Sequence, residues 1–312
     1  MPAMRPFRFA LQTSVAPDVA AWRERARLAE ALGYSCLFIP DHLDNQFGPL
    51  VALTVAAEAT TTLRVGSLVL DNDYRHPVVV AKEIATLDLI SEGRVEFGIG
   101  AGWMRTDYDA AGIPYDPPGV RIDRLEEALA ILKALWGEGR ATFAGRHYTV
   151  TDAECLPLPL TRPHPPILIG GGGKRVLSMA ARQADIVGIN PDLRAGRINA
   201  DVVASAAPER WDERIEWVRA AAGDRFDQLD LQILTFVVMI VDDRAAAAEQ
   251  VAPLFGVDPA TALDMPIALV GTIEQICDTL VERRERWGFN YVVVHEAELE
   301  TFAPVVERLT GT

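Results

Sequence analysis

The 312-residue chain is predicted to fold as a (β/α)8 TIM barrel, an α/β architecture, with insertions at the C-terminal rim. Three observations predict it. Eight short apolar runs recur along the sequence, and helical periodicity lies between most of them. Polar or glycine-bearing segments follow several of these runs, at the strand ends where a barrel carries its binding groups. The length also suffices for one large barrel with a substantial core.

The strands are expected near residues 7–12, 35–39, 63–70, 94–99, 167–169, 186–189, 231–241 and 291–295. Helices fall at 19–32, 50–60, 78–90, 122–135, 176–184, 209–222 and 273–287, where apolar side chains return at helical spacing. Pro77 suits the first turn of the third helix, because its missing N–H would have no partner there. Two stretches break the alternation. Residues 142–150 read as a small hairpin turning at Ala144 and Gly145, followed by the proline-rich CLPLPLTRPHPP. Residues 242–270 hold a helical pattern at 245–251, with Pro253, Pro259 and Pro266 expected to interrupt any continuous element. One domain over 1–312 is therefore expected, with insertions near 137–166 and 242–270, a kind of excursion that often forms lids.

Lys and Arg total 30 against 44 for Asp and Glu, so the net charge of −14 and pI near 4.8 argue against nucleic acid or an anionic membrane as partner. A small-molecule substrate is the partner expected. Any anion must be held by local devices such as helix N-termini, glycine-rich backbone and a few cations. Cys36, Cys155 and Cys277 are scattered without CxxC spacing, which reads as a reduced, cytoplasmic protein with Cys36 packed in a strand. The opening MPAMRPFRFALQ lacks a long apolar region, and no run approaches about 18 apolar residues, so neither export nor membrane insertion is expected.

Four segments can carry chemistry. After strand two, Asp41 and His42 form an ionisable pair, in which the imidazole gives or takes a proton and the carboxylate raises its proton affinity; structural capping by His42 is the alternative. After strand three, Leu68, Val69 and Leu70 supply an apolar wall, and Asp71, Asn72, Asp73, Tyr74 and Arg75 a polar elbow, which is otherwise an ordinary loop. After strand four, Gly98, Gly100 and Gly102 with Ala101 and Trp103 let backbone and one aromatic approach a flat ligand. This is no dinucleotide fingerprint, since Trp103 replaces the last glycine and 104–119 reads as loop; the alternative is a packing turn with Trp103 in the core. After strand five, Gly170 to Gly173 with Lys174 and Arg175 suit a phosphate or another anion at a helix N-terminus, although a Walker A motif would need Ser or Thr at Arg175; a plain connector is the alternative. His76, His147, His164 and His295 lack zinc spacing, and no metal is expected. Arg121, Asp123, Arg124, Glu126 and Glu127 read as a solvated helix face, and Arg194 and Arg197 as a surface loop.

Taken together, PDH at 40–42, VGSLVLDNDYRHP at 65–77, LDLISEGRVEFGIGAGW at 87–103, RIDRLEEAL at 121–129 and PPILIGGGG at 165–173 resemble the luciferase-like monooxygenase superfamily over almost the whole chain. PDHL, DNDYRHP, GAGW and GGGGK are similar to its branch of oxidoreductases using coenzyme F420, a 5-deazaflavin. The resemblance implies a homodimer and a barrel holding an isoalloxazine-like ring at its C-terminal mouth. Leu68 and Val69 would be joined by a non-prolyl cis peptide forming a bulge behind the ring. Asp41 and His42 would lie beside the ring, Ala101, Gly102 and Trp103 along its edge, and Gly171 and Gly172 at the phosphate, with Asn72, Gly173 and Lys174 also expected to bind the cofactor. Some deazaflavin dehydrogenases of the family carry glutamate where this chain has Trp103, which speaks against sugar-phosphate dehydrogenase chemistry. His42 remains as proton donor, with Asp107 and Tyr108 as alternatives. The activity implied is hydride transfer between deazaflavin C5 and a small organic substrate. An FMN-dependent monooxygenase is the alternative, and a noncatalytic deazaflavin- or flavin-binding protein the third reading.

Overall fold

The computed structural model describes residues 5–312, so the first four residues of the stretch read above for an export signal lie outside the described residues. Strands β1 (Arg8–Gln12), β2 (Cys36–Ile39), β3 (Arg64–Ser67), β4 (Val95–Gly100), β5 (Ile167–Gly171), β6 (Ile186–Ile189), β7 (Asp230–Leu234) and β8 (Phe289–His295) bond in the order β3-β2-β1-β8-β7-β6-β5-β4. β3 also pairs with β4, which closes the barrel. The registers are parallel, with Cys36 opposite Arg64, Val65 opposite Val95, and Phe97 opposite Ile167.

The principal helices are α1 (Val19–Ala31), α2 (Pro49–Ala59), α3 (Pro77–Ile90), α4 (Pro118–Glu138), α5 (Lys174–Gln183), α6 (Pro208–Ala222), α7 (Ile273–Trp287) and α8 (Ala303–Leu309). Proline opens α2, α3, α4 and α6, where no helical N–H partner is lost. α7 begins with a reciprocal capping box between Thr272 and Gln275 and stops at Gly288, whose φ of 83° suits glycine.

The chain packs as two compact halves. One comprises Ser14–Arg27 and Cys36–Gly170. Its core includes Trp136 of α4, packed edge-on against Phe97 of β4 at 5.1 Å, with the indole N–H donating to the Ala81 carbonyl of α3. The other comprises the segment up to Thr13, Leu28–Ser35 and Gly171–Thr312. There Trp211 of α6 meets Phe289 of β8 at 5.6 Å. The buried Arg283 of α7 donates to the carbonyls of Leu263, Met265, Pro266 and Ala268, satisfying the irregular turn before Ala268–Gly271.

The irregular stretches depart from expectation. The strand expected over 231–241 is two strands: β7 belongs to the barrel, whereas Val237–Ile240 pairs with Ala268–Gly271 outside it. The hairpin pairs Arg140–Ala144 with Thr149–Glu154, longer than expected but turning after Ala144. Pro253 does not end its helix; Arg244–Phe255 runs through it, because Ala247, Val251 and Ala252 bury against Ala262 and Val270 and packing overrides propensity. Helices Arg105–Ala111, Ala200–Ala204 and α8 are too short to leave a periodic signal in sequence. Among the described residues, no helix is long and apolar enough to cross a membrane.

Candidate functional site

Asp41 and His42 follow β2 as neighbours in sequence, and the structure gives them different partners. The buried Asp41 carboxylate accepts from both terminal nitrogens of Arg75, at 2.5 and 3.0 Å, and from the Asp71 amide at 3.0 Å. His42 Nδ1 instead lies 2.7 Å from Asp107 Oδ2, and its ring meets the Trp103 indole edge-on at 5.6 Å and 87°. The expected cooperation of Asp41 with His42 is thus corrected: Asp107 is the carboxylate bonded to the imidazole, because Asp41 is committed to the elbow after β3.

That elbow begins at a cis peptide between Leu68 and Val69. Both side chains are half-buried while Ser67 and Leu70 on either side are buried, which leaves an apolar surface at the strand's end. Val69 covers β4 where it lacks side chains: a Cβ at Gly100 would fall 2.8 Å from Val69 Cγ2. Beyond it Asp71, Asn72 and Asp73 turn sharply, with the Asp73 amide donating to Asp71 Oδ1 at 2.9 Å. The Tyr108 hydroxyl reaches Asp71 Oδ1 at 3.0 Å and Asp73 Oδ2 at 3.1 Å, and Arg124 of α4 pairs with Asp73 at 2.8 Å. Burial is the main force pushing the Asp71 carboxyl up to about 7; the Asp73 amide opposes it, and the Asp73 and Asp41 charges reinforce it. Asn72 Nδ2 donates to the Tyr148 hydroxyl of the hairpin at 3.2 Å.

Ala101, Gly102 and Trp103 leave β4 half-buried, so Trp103 is not a core residue. Gly102 has φ 72°, and a Cβ there would lie 1.8 Å from Tyr108 Oη and 2.5 Å from Asp71 Oδ2; glycine is required for the approach of backbone to this cluster. The following segment, expected as loop, contains the helix Arg105–Ala111 that carries both Asp107 and Tyr108.

The charged start of α4, expected as a solvated face, is largely structural. Arg121 is buried and donates to the Ala101 and Gly102 carbonyls, at 3.3 and 2.6 Å, with its guanidinium 4.2 Å from the Tyr115 ring centre. Arg124 joins Asp73 to Asp116. Glu127 accepts from the amides of Arg146, His147 and Tyr148 at 2.7, 2.9 and 3.0 Å, anchoring the hairpin turn. Helical spacing shows only that such charges share a face, not that another element covers it.

In the other half, the glycine run ends β5 and leads into α5. A Cβ at Gly171 would strike Val176 and one at Gly172 would strike the Pro191 carbonyl, whereas at Gly173 it would meet nothing within 4 Å. Two of these glycines therefore serve close packing, and Gly173 with the exposed Lys174 forms the open end of the turn. Arg214 is buried and donates to the Gly172 carbonyl at 3.0 Å and that of Ser205 at 2.7 Å; burial pushes its guanidinium down to about 10. His76 caps α3 by accepting from the Val78 amide at 3.3 Å. Cys36, Cys155 and Cys277 are buried thiols. Arg194 is exposed beside Asp192. Among the described residues, no group of three or more His, Cys, Asp or Glu side chains converges as a metal site.

A sequence model of the luciferase-like monooxygenase family matches residues 4–266. The chain is 30% identical over 174 residues to the FMNH2-dependent dimethylsulfone monooxygenase of Pseudomonas putida, covering 54% of this chain and 48% of that protein. It is 34% identical over 166 residues to the F420-dependent glucose-6-phosphate dehydrogenase of Microbacterium testaceum, covering 51% of this chain and 48% of that protein. The chain thus spans about half the length of these two curated relatives. In fold it is similar to the coenzyme F420-dependent tetrahydromethanopterin reductase of Methanopyrus kandleri, with a TM-score of 0.77 at 20% identity over 99% of both chains.

Proposed function

Because the chain belongs to the luciferase-like monooxygenase family, we propose that it is a coenzyme F420-dependent oxidoreductase transferring a hydride between deazaflavin C5 and a small organic substrate, with His42 as general acid or base. The observation that carries this reading is the setting of His42. Its Nδ1 is engaged by Asp107 and its ring is braced by Trp103, so Nε2 is the nitrogen left to exchange a proton with a ligand.

The residues around His42 suit a flat heterocycle. Leu68 and Val69 offer a half-buried apolar surface, and Ala101, Gly102 and Trp103 a half-buried edge. Asp41 and Asn72 hold the elbow in shape, the first through Arg75 and the second through Tyr148. In the other half, the open space at Gly173, where α5 begins, suits a phosphate, with Gly171 and Gly172 supporting the turn. Bound deazaflavin would supply the hydride; the chain's own residues orient the reactants, exclude water and move the proton. A single barrel domain with insertions near 137–166 and 242–270, a homodimeric state and a cytoplasmic location complete the proposal.

The second reading is an FMN-dependent monooxygenase, favoured by Trp103 in the place where some deazaflavin dehydrogenases carry glutamate and by the similarity to an FMNH2-dependent enzyme. Parallel calorimetric titration of cofactor-free protein with F420 and FMN separates the two. Saturable F420 binding with weak FMN binding supports hydride transfer, preferential FMN binding moves the reading to oxygen chemistry, and binding of neither overturns the site. His42→Ala should abolish turnover with saturating substrate and reduced deazaflavin; normal turnover would remove His42 from the mechanism.

A further inference from the structure

We infer that Asp107 is the positioning residue for His42, fixing which imidazole nitrogen carries the proton and which faces the reactants; the inference rests on the proposed role of His42.

The geometry is specific to the short helix Arg105–Ala111. Asp107 is buried, and its Oδ2 lies 2.7 Å from His42 Nδ1. Tyr74 lies nearby, and burial, followed by the charges of Asp71, Asp107 and Asp41, pushes its phenol up and keeps it protonated. An ionised carboxylate offers only acceptors, so its 2.7 Å hydrogen bond with His42 requires the proton on Nδ1. The neutral imidazole accordingly carries its proton on Nδ1, and Nε2 presents a lone pair. Trp103, edge-on at 87°, limits rotation of the same ring. In the proton-transfer step Nε2 takes or gives the proton while Asp107 stays ionised and Nδ1 keeps its own. Neighbours in sequence obscured this relation, since Asp41 adjoins His42 and Asp107 is 65 positions away.

The test combines a readout that needs no cofactor with one that does. In cofactor-free protein, 15N NMR of the His42 ring should show the Nδ1–H tautomer. Asp107→Ala should convert it to a mixture, whereas Asp107→Asn, whose amide oxygen can still accept, should retain it. In the active enzyme, Asp107→Ala should lower kcat by about tenfold or more with the Kd for F420 within roughly twofold of the parent, because only proton transfer is impaired. Asp107→Asn should lose less, and covers the case in which the alanine variant does not fold. An unchanged tautomer in Asp107→Ala, or a weakened Kd at unchanged kcat, would overturn the inference. Failure of the His42 reading itself is separately visible as full turnover by His42→Ala.

Discussion

The two oxygens of Asp41 face the two terminal nitrogens of Arg75 at 2.5 and 3.0 Å, tying the end of β2 to the far side of the β3 elbow. The Asp41 side chain is 1% exposed, so removing the guanidinium would strand a buried charge. Arg75→Met should therefore destabilise the protein by about 3 kcal/mol, measured by urea unfolding. Loss below 1 kcal/mol would mean that water replaces the arginine. Ligand affinity should fall in the same variant, because the Asp71 amide shares the same carboxylate.

Gly102 leads to a second expectation. A methyl group there meets Tyr108 Oη and Asp71, and the backbone φ of 72° disfavours an L side chain. Gly102→Ala should cost roughly 2 kcal/mol and impair binding of whichever ring cofactor the protein takes. Paired with Tyr108→Phe, which removes the obstructing hydroxyl, the loss should be partly relieved. Strict additivity in the double mutant would show that the clash is not the cause.

Asp71 makes stability depend on pH. Its folded-state value near 7 lies above its ordinary 3.8, so from about pH 4 to pH 7 the folded chain holds a proton that the unfolded chain releases. More protons on the folded state means that stability falls as pH rises through this window. Asp71→Asn keeps the acceptor for Tyr108 and removes the titration. Urea unfolding should show the variant gaining on the parent from pH 4 to pH 8 by up to about 4 kcal/mol. A constant difference across that range would place the Asp71 titration elsewhere.

How much of this was legible beforehand follows from the kind of interaction involved. The barrel strands announce themselves because burial on both faces requires near-continuous Val, Ile, Leu and Phe, as in Ile186–Ile189, where the bounds agree to the residue. The seventh strand was overextended, since 231–241 reads as one apolar run and only the closing of the barrel assigns Val237–Ile240 to a different sheet. Asp107 and Arg121 were visible in the sequence, one as an alternative proton donor and the other on a charged helix face, but their partners were not. Their roles arise from long-range pairings to His42 and to the Ala101 and Gly102 carbonyls, which no local spacing encodes. Gly102 was singled out in sequence, but the reason that only glycine fits there required Tyr108 to be placed.

The hairpin supplies the final expectation. Glu127 gathers the amides of Arg146, His147 and Tyr148, and those donors hold its carboxyl below the ordinary range against the opposing effect of burial. Tyr148 in turn receives the Asn72 amide, so a helix-borne carboxylate sets the position of a group at the β3 elbow. A depressed value means that this support is present above pH 4.5 and is lost as pH falls through the folded-state value. Glu127→Ala should speed amide hydrogen exchange at residues 146–148 at neutral pH, while global unfolding changes by only about 1–2 kcal/mol, since the hairpin is largely exposed. Cofactor affinity should weaken several-fold through Asn72, and Tyr148→Phe, which deletes the acceptor directly, should reproduce the weakening without the exchange effect. Fast exchange with undiminished affinity would separate the hairpin from the site.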